Sequence, residues 1–231
     1  MRKAQKPFQT VVEQLKAFYG PPKPPEVTDP LEMILLENVA YLVDDQQREQ
    51  AFAALRARVG LSPVNILSAS EEDLSDVTRL GGMHPDARAG KLRTIAQIAL
   101  QEFEGDLASA MKQPAASARK SLKKFPGIGE PGAQKILLFA RIQPALALES
   151  NGLRVMIRLG FGEQRKNYES TYRSAQEAVD GQMEKDFDWL IAAHQLLRQH
   201  GRELCKNAQP RCKQCPVSRS CRFFKEKLRD V

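Results

Sequence analysis

Apolar residues recur at helical spacing along nearly the whole chain. Phe8, Val11, Val12, Leu15 and Tyr19 stand at i, i+3, i+4, i+7 and i+11, one face of a helix. Pro21, Pro22, Pro24 and Pro25 then form a stiff linker. Asp29 suits the cap of a second helix, with Pro30 in its first turn. This helix, predicted over about 31–43, is apolar nearly all round and belongs in the core. Further helices are predicted over about 46–59, 149–159, 168–179 and 186–200. A long one over about 88–104 carries Leu92, Ile95, Ala96, Ala99 and Phe103 along one face. No segment alternates with period two, and no repeat is visible. An all-α fold follows.

Near the middle, Phe125-Pro126-Gly127-Ile128-Gly129 reads as a turn between two helices, the second with Ala133, Ile136, Leu137 and Ala140 on one face. Two glycines let the backbone turn tightly and approach an anion. The helix that follows offers free N–H groups, and Pro131 suits its first turn. An ordinary interhelical turn would read the same way.

The chain has 231 residues, enough for one large domain or two small lobes. Apolar residues make up 42% and charged residues 27%, as in ordinary globular proteins. No segment resembles a membrane span. Met1-Arg2-Lys3-Ala4-Gln5-Lys6 is charged, but no apolar stretch follows, so no secretory signal is expected. A cytoplasmic location is the expectation. The net charge of +7 favours a polyanionic partner, although a solvated basic surface has the same composition.

All four cysteines, Cys205, Cys212, Cys215 and Cys221, fall near the C-terminus in a C-x6-C-x2-C-x5-C array. Clustered thiols in such a chain read as a metal site rather than as disulfides. Four soft thiolates suit a [4Fe–4S] cluster, and a Cys₄ zinc site is the alternative. Zinc ribbons usually show two CxxC pairs; here only Cys212 and Cys215 form one.

The run His200-Gly201-Arg202-Glu203-Leu204-Cys205, with Pro210-Arg211-Cys212-Lys213-Gln214-Cys215 and Cys221, resembles the cluster loop of the endonuclease III family of helix-hairpin-helix (HhH-GPD) DNA glycosylases. The glycine turn resembles that family's hairpin, and the match spans about 28–224. The resemblance implies a [4Fe–4S] cluster on the four cysteines. It implies that Pro126, Gly127, Ile128 and Gly129 meet the DNA backbone, and that Lys206, Arg211 and Lys213 contact phosphates; solvated charges are the alternative for the last three. It also implies two helical lobes with a cleft between them. One is a six-helix barrel over 28–143, with the helix-hairpin-helix at about 117–141. The other is an iron–sulfur lobe formed by 1–27 and 144–231, with its cluster loop at 205–221.

At the expected active site the chain departs from the family. Bifunctional members carry a catalytic Lys two residues after the second hairpin glycine; here that position is Pro131, which forms no Schiff base, so lyase activity is not expected. Lys135, one turn on, reads as a solvated lysine. Glu149 stands where the family has an essential Asp. Asn151, Arg154 and Val155 fit the family pattern. Glu37 interrupts an apolar helix, so it must be paired, neutral or facing a cavity. It resembles the catalytic Glu of the adenine-mismatch branch, and a raised pKa would suit it to protonate a leaving base. Tyr41 to Gln47 lacks the usual Gln- and Thr-bearing turn, and Gly81 to Ala89 loosely resembles another DNA-facing loop. His194 lies on an apolar face and reads as structural; His84 and His200 carry no assigned role. Two functions stay open: a monofunctional glycosylase using Glu37 and Glu149, and a catalytically inactive relative that binds damaged or distorted DNA. Either is expected to act as a monomer on duplex DNA, in the nucleoid-associated pool of a bacterial cytoplasm.

Overall fold

The computed structural model describes residues 8–183 and 185–227; the charged segment 1–6 lies outside the described residues. Among the described residues every regular element is helical. In chain order these are α1 (Phe8–Tyr19), α2 (Pro30–Asn38), α3 (Asp45–Arg58), α4 (Pro63–Ser68), α5 (Glu71–Leu80), α6 (Pro85–Phe103), α7 (Leu107–Ala110), α8 (Ala115–Leu122), α9 (Glu130–Phe139), α10 (Ser150–Leu159), α11 (Tyr168–Val179), α12 (Phe187–Glu203) and α13 (Arg222–Lys227). Single 3₁₀ turns stand at Cys212–Gln214 and Ser218–Ser220. The helix starts are written in short polar side chains. Asp29, Asp44, Ser62, Ser70, Asp106, Asn167 and Asp186 each accept a hydrogen bond from a backbone N–H of the first turn. Each such cap contributes about 1 kcal/mol. No described helix is long and apolar enough to cross a membrane.

The chain divides into two compact units, Pro25–Ile142 and Met1–Pro24 with Gln143–Val231. In the first, α6 buries Leu92, Ile95, Ala96 and Ala99 in a core with Ile34 and Leu35 of α2, Ile66 of α4, Leu74 and Val77 of α5, and Ile136 and Leu137 of α9. The predicted apolar face of α6 is thus the buried one, with Phe103 only partly covered.

Helix α2 ends at Asn38, five residues earlier than its apolar pattern predicts. Val39 and Ala40 stay buried, but the backbone turns away. The Tyr41 N–H donates to the Gly81 carbonyl at 2.9 Å, and Leu42 adopts a left-handed φ of 56°. The competing partner is Arg88, which is buried on α6. Its guanidinium donates to the carbonyls of Met83 (2.7 Å), Thr78 (2.6 Å), Gly82 (2.7 Å) and Val39. One cation therefore ties the end of α2 to the loop between α5 and α6.

In the second unit, α12 packs on α1 and α10. The face of α1 read from the sequence is the buried one: Phe8, Val11, Val12 and Leu15. The Phe8 ring meets Phe161 and Trp189 edge-on, with centroids 5.4 and 5.9 Å apart. Gly201 lets α12 approach α10 closely, since a Cβ there would stand 2.7 Å from the backbone oxygen of Asn151. His194 is the structural histidine its apolar face suggests, with Nδ1 2.8 Å from the Ala147 carbonyl.

Candidate functional site

The hairpin joins α8 to α9 and is fixed from behind by Asn38, the last residue of α2. The Asn38 amide donates to the carbonyls of Ile34 (3.0 Å) and Pro126 (2.9 Å). Gly127 has φ 74°, and a Cβ there would stand 3.0 Å from Asn38 Oδ1. The turn therefore needs glycine both for its backbone conformation and for the approach of Asn38. Gly129 caps α9 in an extended conformation without a side-chain hydrogen bond. Ile128 is buried, so of this residue only the backbone can meet a ligand. Glu130, in the first turn of α9, pairs with Arg119 (3.4 Å) and Lys123 (3.2 Å). Asn38→Ala is expected to cost about 1–3 kcal/mol, because the part-buried Pro126 carbonyl loses this donor. Urea unfolding of the two proteins checks this.

Glu37 takes one of the fates that the sequence leaves open, whereas Lys135 does not stand as the sequence suggests. Glu37 is not enclosed in apolar surroundings: its side chain is 30% exposed. It forms ion pairs with Lys135 of α9 and with Arg48 of α3, the latter at 3.5 Å. Of the three fates open to it, it is paired. Lys135 is not a solvated lysine; its side chain is 22% exposed and its ammonium group sits on Glu37. Sequence alone hides this pair, whose members are 98 positions apart.

Glu149, in the other unit, is the N-cap of α10. One carboxylate oxygen accepts the Gly152 N–H at 2.6 Å, and the other accepts the Asn151 amide at 2.7 Å. Asn151 Oδ1 in turn accepts from Arg154 at 2.8 Å. Arg154 also donates to the carbonyls of Gly201 (2.8 Å) and Cys205 (2.9 Å). Burial pushes the Arg154 pKa down, but its contacts are those of a cation. A continuous chain of hydrogen bonds thus links the carboxylate to the first cysteine of the array. The chain also gives Asn151 and Arg154 a physical reason to sit where they do.

The four thiols are free and line one pocket together with Val155, Leu159, Leu204, Pro210, Val217, Phe223 and Phe224. Among the described residues no three His, Cys, Asp or Glu side chains are grouped to hold a single metal ion. Burial pushes the Cys215 thiol up to about 12 and also raises Cys221. Such thiols stay protonated until a cation draws off their protons. Arg158 braces the loop by donating to the carbonyls of Lys206 (2.7 Å) and Asn207 (2.9 Å) while covering the Phe223 ring. Lys206, Arg211 and Lys213 are all exposed. One further pocket residue carries no role in the sequence reading: His200, almost fully buried, between Tyr19 and Cys215. Burial lowers its pKa to about 4.

These features define an all-helical protein with a glycine hairpin and a four-cysteine loop. No protein-family model matches the chain. Endonuclease III of Thermotoga maritima is 25% identical over 206 residues, 89% of either chain. A thymine/uracil-DNA glycosylase of Pyrobaculum aerophilum is 26% identical over 175 residues, 73% of this chain and 70% of its own. Among solved structures, a trapped endonuclease III–DNA covalent intermediate superposes with a TM-score of 0.74 at 21% identity, covering 95% of this chain and 96% of the other. The chain is thus similar in sequence to endonuclease III and to related DNA glycosylases, and it shares the all-helical endonuclease III fold.

Proposed function

We propose that the chain is a base-excision-repair DNA glycosylase without a lyase step, hydrolysing the N-glycosidic bond of a damaged or mismatched base. The observation that carries this reading is the Glu149 carboxylate, held through both oxygens by Gly152 and Asn151. As a base departs, positive charge grows on the sugar, and a carboxylate fixed in advance by N–H donors stabilises that charge without having to reorganise. The relatives named above are an endonuclease III and a DNA glycosylase, and solved relatives hold DNA. Pro131 at the position of the family's catalytic lysine supports simple hydrolysis.

The amides of the hairpin and of the start of α9 would hold a backbone phosphate. Lys206, Arg211 and Lys213 would hold others. Tyr41, Leu42 (72% exposed) and Met83 form apolar loop tips tied together through Arg88, suited to the gap left by an extruded base. Cys205, Cys212, Cys215 and Cys221 would hold a [4Fe–4S] cluster. Their soft donor set and shared apolar pocket fit it, and the bound cluster would supply structural cross-linking of the loop. The protein would act as a monomer on nucleoid DNA.

The pairing of Glu37 supports a structural part for it over that of proton donor. Paired to Lys135 and Arg48, it anchors α2 to α3 and α9. That same pairing favours a second reading, a DNA-binding relative that performs no chemistry. Single-turnover base release from lesion-bearing duplexes separates the two. Glu149→Gln should slow release by about 10²-fold or more while duplex affinity holds. Glu37→Gln should stay within about tenfold of the unaltered protein, that is within about 1.4 kcal/mol. Equal, zero release from all three proteins with binding intact would establish the second reading.

A further inference from the structure

We infer that His200, oriented by Tyr19, donates a hydrogen bond to the Cys215 sulfur of the bound cluster and thereby sets how readily that cluster is reduced; the inference rests on the iron–sulfur reading of the cysteine pocket. His200 lies in the last turn of α12 and is 1% exposed. Its Nε2 is 3.4 Å from Cys215 Sγ, and its Nδ1 is 3.0 Å from the Tyr19 hydroxyl. A neutral imidazole has one N–H and one lone pair, so the two contacts cannot both be of the same kind. An iron-bound Cys215 is a thiolate, which only accepts. Nε2 must then carry the hydrogen, and Nδ1 must accept. The Tyr19 hydroxyl supplies the matching donor. The opposite tautomer would set the Nε2 lone pair against a thiolate.

Tyr19 and His200 are 181 positions apart, so this ring joins α1 to the cluster loop. The pair are positioning residues: neither ligates iron, and together they fix a donor beside one ligand. Hydrogen bonds to cluster sulfurs stabilise the more negative, reduced state and raise the potential. A second donor, Arg158, points at a different sulfur, Cys205 Sγ, at 3.5 Å. The two contributions are therefore separable by mutation.

The test uses protein purified with its iron and free of DNA. His200→Leu should shift the midpoint potential to more negative values and speed bleaching by a chelator. His200→Gln places an amide N–H near the Nε2 position and should bring the potential back toward the unaltered value. Tyr19→Phe should shift it the same way as leucine, by less. Because the leucine variant can fail to assemble, nitrogen-15 NMR of the imidazole in the unaltered protein is read as well, with the Nε2–H tautomer and an accepting Nδ1 expected. Iron-loaded protein with the Nδ1–H tautomer, or with one potential shared by all variants, overturns this inference alone. Protein that binds no iron overturns the cluster reading and this inference with it.

Discussion

Arg88→Met is expected to destabilise the Pro25–Ile142 unit by about 3–5 kcal/mol, because it takes the donor from several buried or part-buried carbonyls at about 1–3 kcal/mol each. The side chain is 4% exposed, and its guanidinium satisfies four backbone carbonyls. Methionine fills much of the volume and supplies no donor, so the Val39, Gly82 and Met83 carbonyls lose the guanidinium, while the Thr78 carbonyl keeps the Gly81 N–H. Arg88→Lys should recover little, because an ammonium group cannot reproduce the planar fork. Denaturant unfolding measures the loss, and limited proteolysis around Tyr41 and Met83 reports release of the tethered loops. Unfolding midpoints within experimental error of the unaltered protein would show that Arg88 does not hold these loops.

Arg154→Met carries the second large effect, in the other unit. It strips donors from the Gly201 and Cys205 carbonyls and from Asn151, a loss of roughly 2–4 kcal/mol. Asn151 would then lose the contact that orients its amide toward Glu149. A carboxylate displaced by about 1 Å costs on the order of 10²-fold in rate, so base release should fall with only modest change in duplex affinity. Arg154→Met with a normal rate and normal stability would show that the chain of hydrogen bonds from Cys205 to Glu149 is incidental.

The parts of the molecule legible in the sequence are those set by neighbours in the chain. The face of α1, the Asp29 cap and the span of α11 follow from local spacing and cap chemistry. Helix α4 is too short to show a period, and α5 buries two polar residues, Ser75 and Thr78, beside Leu74 and Val77, so neither stands out from its apolar spacing although Ser62-Pro63 and Ser70 with Asp73 are start signals. Helix α2 reads too long because its apolar run continues into Val39 and Ala40, which are buried without being helical. The glycine hairpin and the cysteine array are visible because few other residue types serve there. The partners of Glu37, His200 and Arg88 are not visible. Each is decided by packing between elements far apart in sequence, and no local pattern marks an arginine that will cap carbonyls or a lysine that will meet a glutamate.

Glu149 as the charge-stabilising carboxylate of a glycosylase is tested most directly by mass spectrometry of the small molecules released when purified protein meets a panel of lesion-bearing duplexes. The expected result is free base from at least one duplex, leaving an abasic strand that breaks only on alkaline treatment. Salt-sensitive binding to the whole panel with no base freed from any duplex would contradict it.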